Sequence, residues 1–218
     1  MTPETGRRAP NPLIDQLAED LAPVRTLKLR HGLALVTLAL VATVLAVEFI
    51  KGLWMVGITG DASPFFYIGT GLLLVLGAAA ATSVVTMASP RVGNRNEGPK
   101  WALAMAMVLP GAALLTLLGK GPSVAALGHT PGLHCLESGV ASSLLVAGAL
   151  VLWLRRGAPV SPNTAGLLVG IASTALGSAA YGLSCQLDSM IHIGIWHAAP
   201  VAVGAVVGRF ALPPLIRW

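Results

Sequence analysis

The chain has little charge. Of its 218 residues only 11% are Asp, Glu, Lys or Arg, and the nine acidic side chains are outnumbered by fourteen basic ones. With 55% hydrophobic residues and a mean hydropathy of +0.76, the apolar side chains exceed what a single soluble core can hide. Two cysteines are too few for a disulfide-stapled scaffold, and no CxxC pair suggests a zinc knuckle. No Ser/His/Asp arrangement and no phosphate-cradling glycine loop is present, so the sequence supports no enzymatic activity. The basic residues are scattered over separate segments instead of forming one stripe, which argues against direct nucleic-acid binding.

What the chain does have is six apolar runs of about 17 to 25 residues, the length a helix needs to cross a bilayer. They are Gly32 to Ile50, Phe65 to Met87, Trp101 to Leu118, Ser138 to Leu154, Thr164 to Leu183 and Ile193 to Leu212. The predicted fold is all-α: a polytopic membrane protein whose six transmembrane helices form a bundle in contact with lipid. A polar leader before the first run, without a clean cleavage pattern after it, marks that run as a retained span and not a signal peptide.

Charge predicts the orientation. Arg7, Arg8, Arg25, Lys28 and Arg30 precede the first run, and Arg91, Arg95 and Lys100 follow the second. Arg155 and Arg156 follow the fourth, and Arg209 and Arg217 lie near the end. Only Lys51 and Lys120 fall on the other side, so the positive-inside rule puts both termini in the cytoplasm of a bacterial inner membrane. The chain then divides into a cytoplasmic arm, 1–31, a six-helix membrane domain, 32–212, and a cytoplasmic tail, 213–218.

The connections are short, and none has room for a separate domain. The longest outer one, Gly119 to Glu137, holds Pro122, Pro131, His129, His134 and Cys135, and its prolines and glycines predict irregular structure. Pro110 and Gly111 predict a kink in the third run. Gly166, Gly170, Thr174, Ser178 and Gly182 recur every four residues, and Gly204 and Gly208 repeat the spacing, which predicts close helix packing in the second half.

The arm carries its own signal. Asn11 suits an N-cap, Pro12 the first helical position, and Pro23 a stop after Leu21 or Ala22. Leu13, Leu17 and Leu21 fall at i, i+4 and i+8, joined by Ile14, while Asp15, Gln16, Glu19 and Asp20 take the other face. A helix of about three turns is not stable alone in water. Its acidic face opposes anionic lipid. The better receiver is a protein with an apolar groove and a basic rim.

On the predicted outer face lie Cys135 and Cys185 with Glu137, Asp188, His129, His134 and His192, while His197 sits about a turn inside the sixth run. Three readings stay open: a disulfide or redox switch, a metal ion held by the thiolates with His134, His192 or His197, and an inert pair of small residues. Glu48 can pair with Lys51 at i+3.

These residues resemble a known family. Leu13-Ile14-Asp15-Gln16-Leu17-Ala18 through Pro23-Val24-Arg25 is similar to the amino terminus of the NrsF-type anti-sigma factors, six-span inner-membrane regulators of extracytoplasmic-function (ECF) sigma factors. The second half resembles them more closely, in Cys135, Arg155-Arg156-Gly157-Ala158-Pro159, Ala165-Gly166, Tyr181-Gly182-Leu183-Ser184-Cys185, Trp196 and Ile216-Arg217-Trp218. Ser184 and His197 depart from the family pattern, which has histidine and tyrosine there. The resemblance implies that an ECF sigma factor is bound by Leu13, Ile14, Asp15, Leu17, Glu19, Asp20, Leu21, Pro23 and Arg25. It also implies that Cys135 and Cys185 sense an envelope, metal, redox or light signal, and that release of the sigma factor regulates transcription in a stress response. The alternative is an accessory or transport subunit whose arm docks a cytosolic enzyme. A weaker one binds haem or metal on the outer histidines for electron transfer.

Overall fold

The computed structural model describes residues 12–19, 27–89, 98–119 and 130–216, and every regular element among them is a helix. In chain order these are α1 (Pro12–Glu19), α2 (Leu29–Lys51), α3 (Met55–Thr59), α4 (Pro64–Met87), α5 (Gly98–Ala106) and α6 (Val108–Gly119). They continue with α7 (Thr130–Ser142), α8 (Leu144–Leu154), α9 (Pro162–Gly182), α10 (Met190–His192), α11 (Ala199–Ala211) and α12 (Pro213–Ile216). Six stretches are long and apolar enough to cross a membrane: Leu29–Lys51, Pro64–Met87, Pro99–Gly119, Gly132–Leu154, Pro162–Gly182 and Met190–Ala211.

Helix α9 is the axis of the bundle. It packs against α4 and α11, and also against α2, α7 and α8. Its residues are small, so neighbouring backbones come close. A Cβ on Gly166 would strike the Gly208 carbonyl, and one on Gly170 would strike the Gly204 carbonyl. The four-residue stripes therefore meet each other across the α9–α11 interface, where the two backbones come into close contact. On the other flanks, Leu76, Val84, Val146, Leu150, Leu154 and Val169 fill the core.

Three interruptions have local causes. Pro110 has no N–H for the Ala106 carbonyl and its ring crowds that turn, so α5 ends there and α6 starts after a turn at Met107. Ser143 separates α7 from α8, with its hydroxyl donating to the Val140 carbonyl at 2.6 Å, and this break lies directly over Gly177. Pro200 likewise deprives the Trp196 carbonyl of a helical partner, and the turn before it, Ile193–His197, widens into a π-turn.

Two expectations change. The 119–137 connection is not irregular throughout, because α7 begins at Thr130 with Pro131 in its first turn, where a missing N–H costs nothing. The first outer connection contains a further short helix, α3, closed by Gly60 in the left-handed conformation.

The two ends of the bundle are distinct. At one, the start of α2 abuts Trp153 through Gly32, the Trp153 indole N–H donates to the Val85 carbonyl at 3.1 Å, and the Ala158 N–H donates to Ala88. Buried Ile216 joins the same cluster, so the start of α2, Arg155, Arg156 and α12 share that end. At the other, the Trp54 N–H donates to the Leu183 carbonyl at 2.8 Å, and Asp188 receives both the N–H and, at its carbonyl, the hydroxyl of Ser63.

Candidate functional site

Four chemically distinctive side chains converge at this second end. Cys135 comes from the second turn of α7, Cys185 from the segment just after α9, His192 from the end of α10, and His197 from the last residue of the π-turn. All four are buried, and their ligand-capable atoms lie within 4.8 Å of one another. The sulfurs are 3.7 Å apart as free thiols, and Cys185 Sγ lies 3.5 Å from His192 Nε2. Tyr181 closes one side, its hydroxyl 3.9 Å from Cys135 Sγ and its ring stacked on His197 at 6.2 Å. Val47 and Trp196 pack over the thiols.

The π-turn is what brings the histidines together. His192 and His197 are five residues apart, and in an α-helix of 3.6 residues per turn they would point roughly 140° apart. An i→i+5 turn brings such a pair nearly into line. Their rings accordingly sit 5.4 Å apart at 68°. Gly132 makes room for the Trp196 indole in the same turn, and Gly182 leaves space beside the His197 ring.

Two electrostatic facts follow from this packing. The hydrogen bond to Cys135, with desolvation second, pushes the Cys185 thiol well above the usual thiol range. His197 Nε2 is buried without a hydrogen-bond partner among the described residues, a costly state for an imidazole nitrogen. A close thiol pair with two imidazoles is chemically suited to two-electron thiol oxidation or to ligating a borderline cation.

The other candidate residues lie elsewhere. His134 is exposed outside the cluster, its Nε2 3.2 Å from Lys51 Nζ, so Lys51 reaches His134 and not Glu48. Asp188 is taken up by Ser63, and Glu137 is exposed. On α1, Leu13, Ile14, Asp15 and Glu19 are exposed, and Leu17 lies on the same helix. Asp20, Leu21, Pro23, Arg25 and His129 lie outside the described residues. Tyr181 is a neighbour that spacing alone does not reveal; its place one residue before the end of α9, four before Cys185, was the available signal.

The sequence profile of the family described as NrsF, negative regulator of sigma F, matches residues 17–218. The chain belongs to the NrsF family. A curated NrsF relative, the anti-sigma-F factor NrsF of Caulobacter vibrioides (strain NA1000 / CB15N), is 34% identical over 71 residues, 32% of this chain. That alignment spans about a third, 33%, of the relative's own length. No solved structure matches the chain. Within the NrsF match fall α2 to α12 and the whole of the Cys135, Cys185, His192 and His197 cluster.

Proposed function

We propose that the protein is a membrane-embedded anti-sigma factor. It holds an ECF sigma factor at the bacterial inner membrane through its amino-terminal arm and releases it when a stimulus acts at the Cys135 and Cys185 end. The observation that carries this reading is the family match over residues 17–218.

The surface supports the membrane part. Phe49 is 92% exposed, Leu118 77% and Phe210 76%, a density of bare apolar side chains that a soluble monomer does not carry. In hydrocarbon the same surface costs nothing. The end that holds the start of α2, Arg155, Arg156 and α12 is then cytoplasmic, because most of the basic residues flank it.

The arm supports the partner. Helix α1 presents Leu13 and Ile14 beside Asp15 and Glu19, and two turns of helix need a receiving surface to be stable. An apolar groove with a basic rim on the sigma factor meets both faces: Leu13, Ile14, Leu17 and Leu21 fill the groove, while Asp15, Glu19 and Asp20 meet the rim. Pro23 and Arg25 follow the helix and complete the contact. Held there, the sigma factor is kept from polymerase and its genes stay silent.

For release, the stimulus has to distinguish two packings of the bundle by about 1.4 kcal/mol for each tenfold loss of affinity. Replacing Leu17 and Leu21 together by Ala should release the sigma factor from detergent-solubilised protein, with at least a tenfold loss in pull-down and unchanged membrane insertion. Undiminished capture would sink the groove reading. Replacing both cysteines by Ser should uncouple capture from the stimulus, so that the amount of sigma factor held no longer changes on induction; a normal response would reduce the thiols to packing.

A further inference from the structure

The four-residue cluster can be tested against metal geometry. In a tetrahedral zinc site, sulfurs at about 2.3 Å and nitrogens at about 2.0–2.1 Å put two sulfurs about 3.8 Å apart and a sulfur about 3.5 Å from a nitrogen. The two cysteines lie at 3.7 Å, and Cys185 and His192 at 3.5 Å. A disulfide would account for the first distance after a contraction, but not for two buried imidazoles gathered around the sulfurs.

From this geometry we infer that Cys135, Cys185, His192 and His197 form a closed Cys2His2 site for one borderline divalent cation of the zinc type. Binding deprotonates both thiols, and the two protons leave to solvent. Two thiolates, two neutral imidazoles and a divalent ion then sum to zero charge, which suits a site walled by Val47, Tyr181 and Trp196. His197 Nε2, buried and unpartnered among the described residues, is an imidazole nitrogen left available for a ligand. The Tyr181 hydroxyl at 3.9 Å from Cys135 Sγ is placed to orient that sulfur from the second layer.

Four protein ligands leave no open position, so the ion is structural and not hydrolytic. It joins α7, the segment after α9 and the π-turn, three separate stretches of chain, at one point. Ion loss, exchange or thiol oxidation would untie all three together. That the site is the trigger for release rests on the reading of the preceding subsection, whereas ion binding does not.

The test titrates the reduced, metal-stripped full-length protein in mild detergent with Co2+, with no sigma factor present. Expected are one Co2+ per chain, intense visible bands of a tetrahedral ion, a thiolate charge-transfer band in the near ultraviolet, and displacement by Zn2+. Cys185→Ser should lower the charge-transfer intensity per bound ion, with one thiolate remaining, and His197→Gln should shift the visible bands and weaken binding at least tenfold. Circular dichroism of the metal-free variants tells ligand loss from misfolding, and a misfolded variant is replaced by His192→Gln. No stoichiometric binding by the reduced wild type, or a weak octahedral spectrum, overturns the site. Histidine variants that fold and bind with an unchanged spectrum overturn the four-ligand assignment. Failure here leaves arm-dependent capture of the sigma factor untouched, and failure of that capture leaves the cobalt titration standing.

Discussion

Helix α9 and the α5–α6 pair are both apolar and both long enough to cross a membrane, yet in their most apolar 18-residue stretches 89% of the first is buried and 18% of the second. The difference lies in side-chain size. Helix α9 is rich in Gly, Ala, Ser and Thr, and its neighbours reach its backbone; α5–α6 carries Trp101, Met105, Leu115 and Leu118 turned outward. Large apolar side chains turned outward around an interior of closely approaching backbones fit the membrane-embedded reading proposed above.

That contrast can be broken most severely at Gly170. Gly170→Leu has to push α9 off the Gly204 carbonyl, and it should cost about 3 kcal/mol or more, read as a large drop in thermal unfolding temperature in detergent. A midpoint within error of wild type would mean that the two glycine stripes do not touch.

Gly177→Ala is a smaller challenge to the same rule. An added methyl meets backbone atoms of Ser142 and Ser143, which cannot swing aside as a side chain can, so a net loss of about 1–2 kcal/mol is expected despite the better helix propensity of Ala. The peripheral counterpart, Gly111→Ala, adds its methyl to open space. It should be neutral or stabilise by up to about 1 kcal/mol. Equal effects at Gly177 and Gly111 would erase the distinction between the two regions.

Much of this was legible in the chain. Runs of apolar residues gave all six long helices, because length and hydropathy are local properties, and the i, i+4 glycines announced close packing in the second half, which the structure makes the α9–α11 contact. Pro110 foretold a kink, and the structure has an interruption at Met107 because the clash lies a turn upstream of the ring. The start of α7 at Thr130 was missed because Pro131 reads as a breaker until it is known to occupy a first turn. At the site, the two cysteines, His192 and His197 were recognisable by type. Their convergence was not, since it depends on a π-turn whose only trace in the sequence is Pro200. Restoring the N–H with Pro200→Ala should let the segment relax toward an α-helix, turn His197 away from the thiols, and lower Co2+ affinity at least tenfold while the fold persists. Unchanged cobalt spectra would show that the turn is not held open by the proline.

The bonds from Trp54 to Leu183 and from Ser63 to Asp188 hold both flanks of the segment that carries Cys185. Only a few residues lie between these anchors, so the thiol is preorganised: whatever captures it meets a sulfur already in place and need not order a wandering loop. The rigidity also links the connection between α2 and α4 to that event, because a displaced Cys185 strains the hydrogen bonds that tie its flanks to Trp54 and to Ser63 at the start of α4.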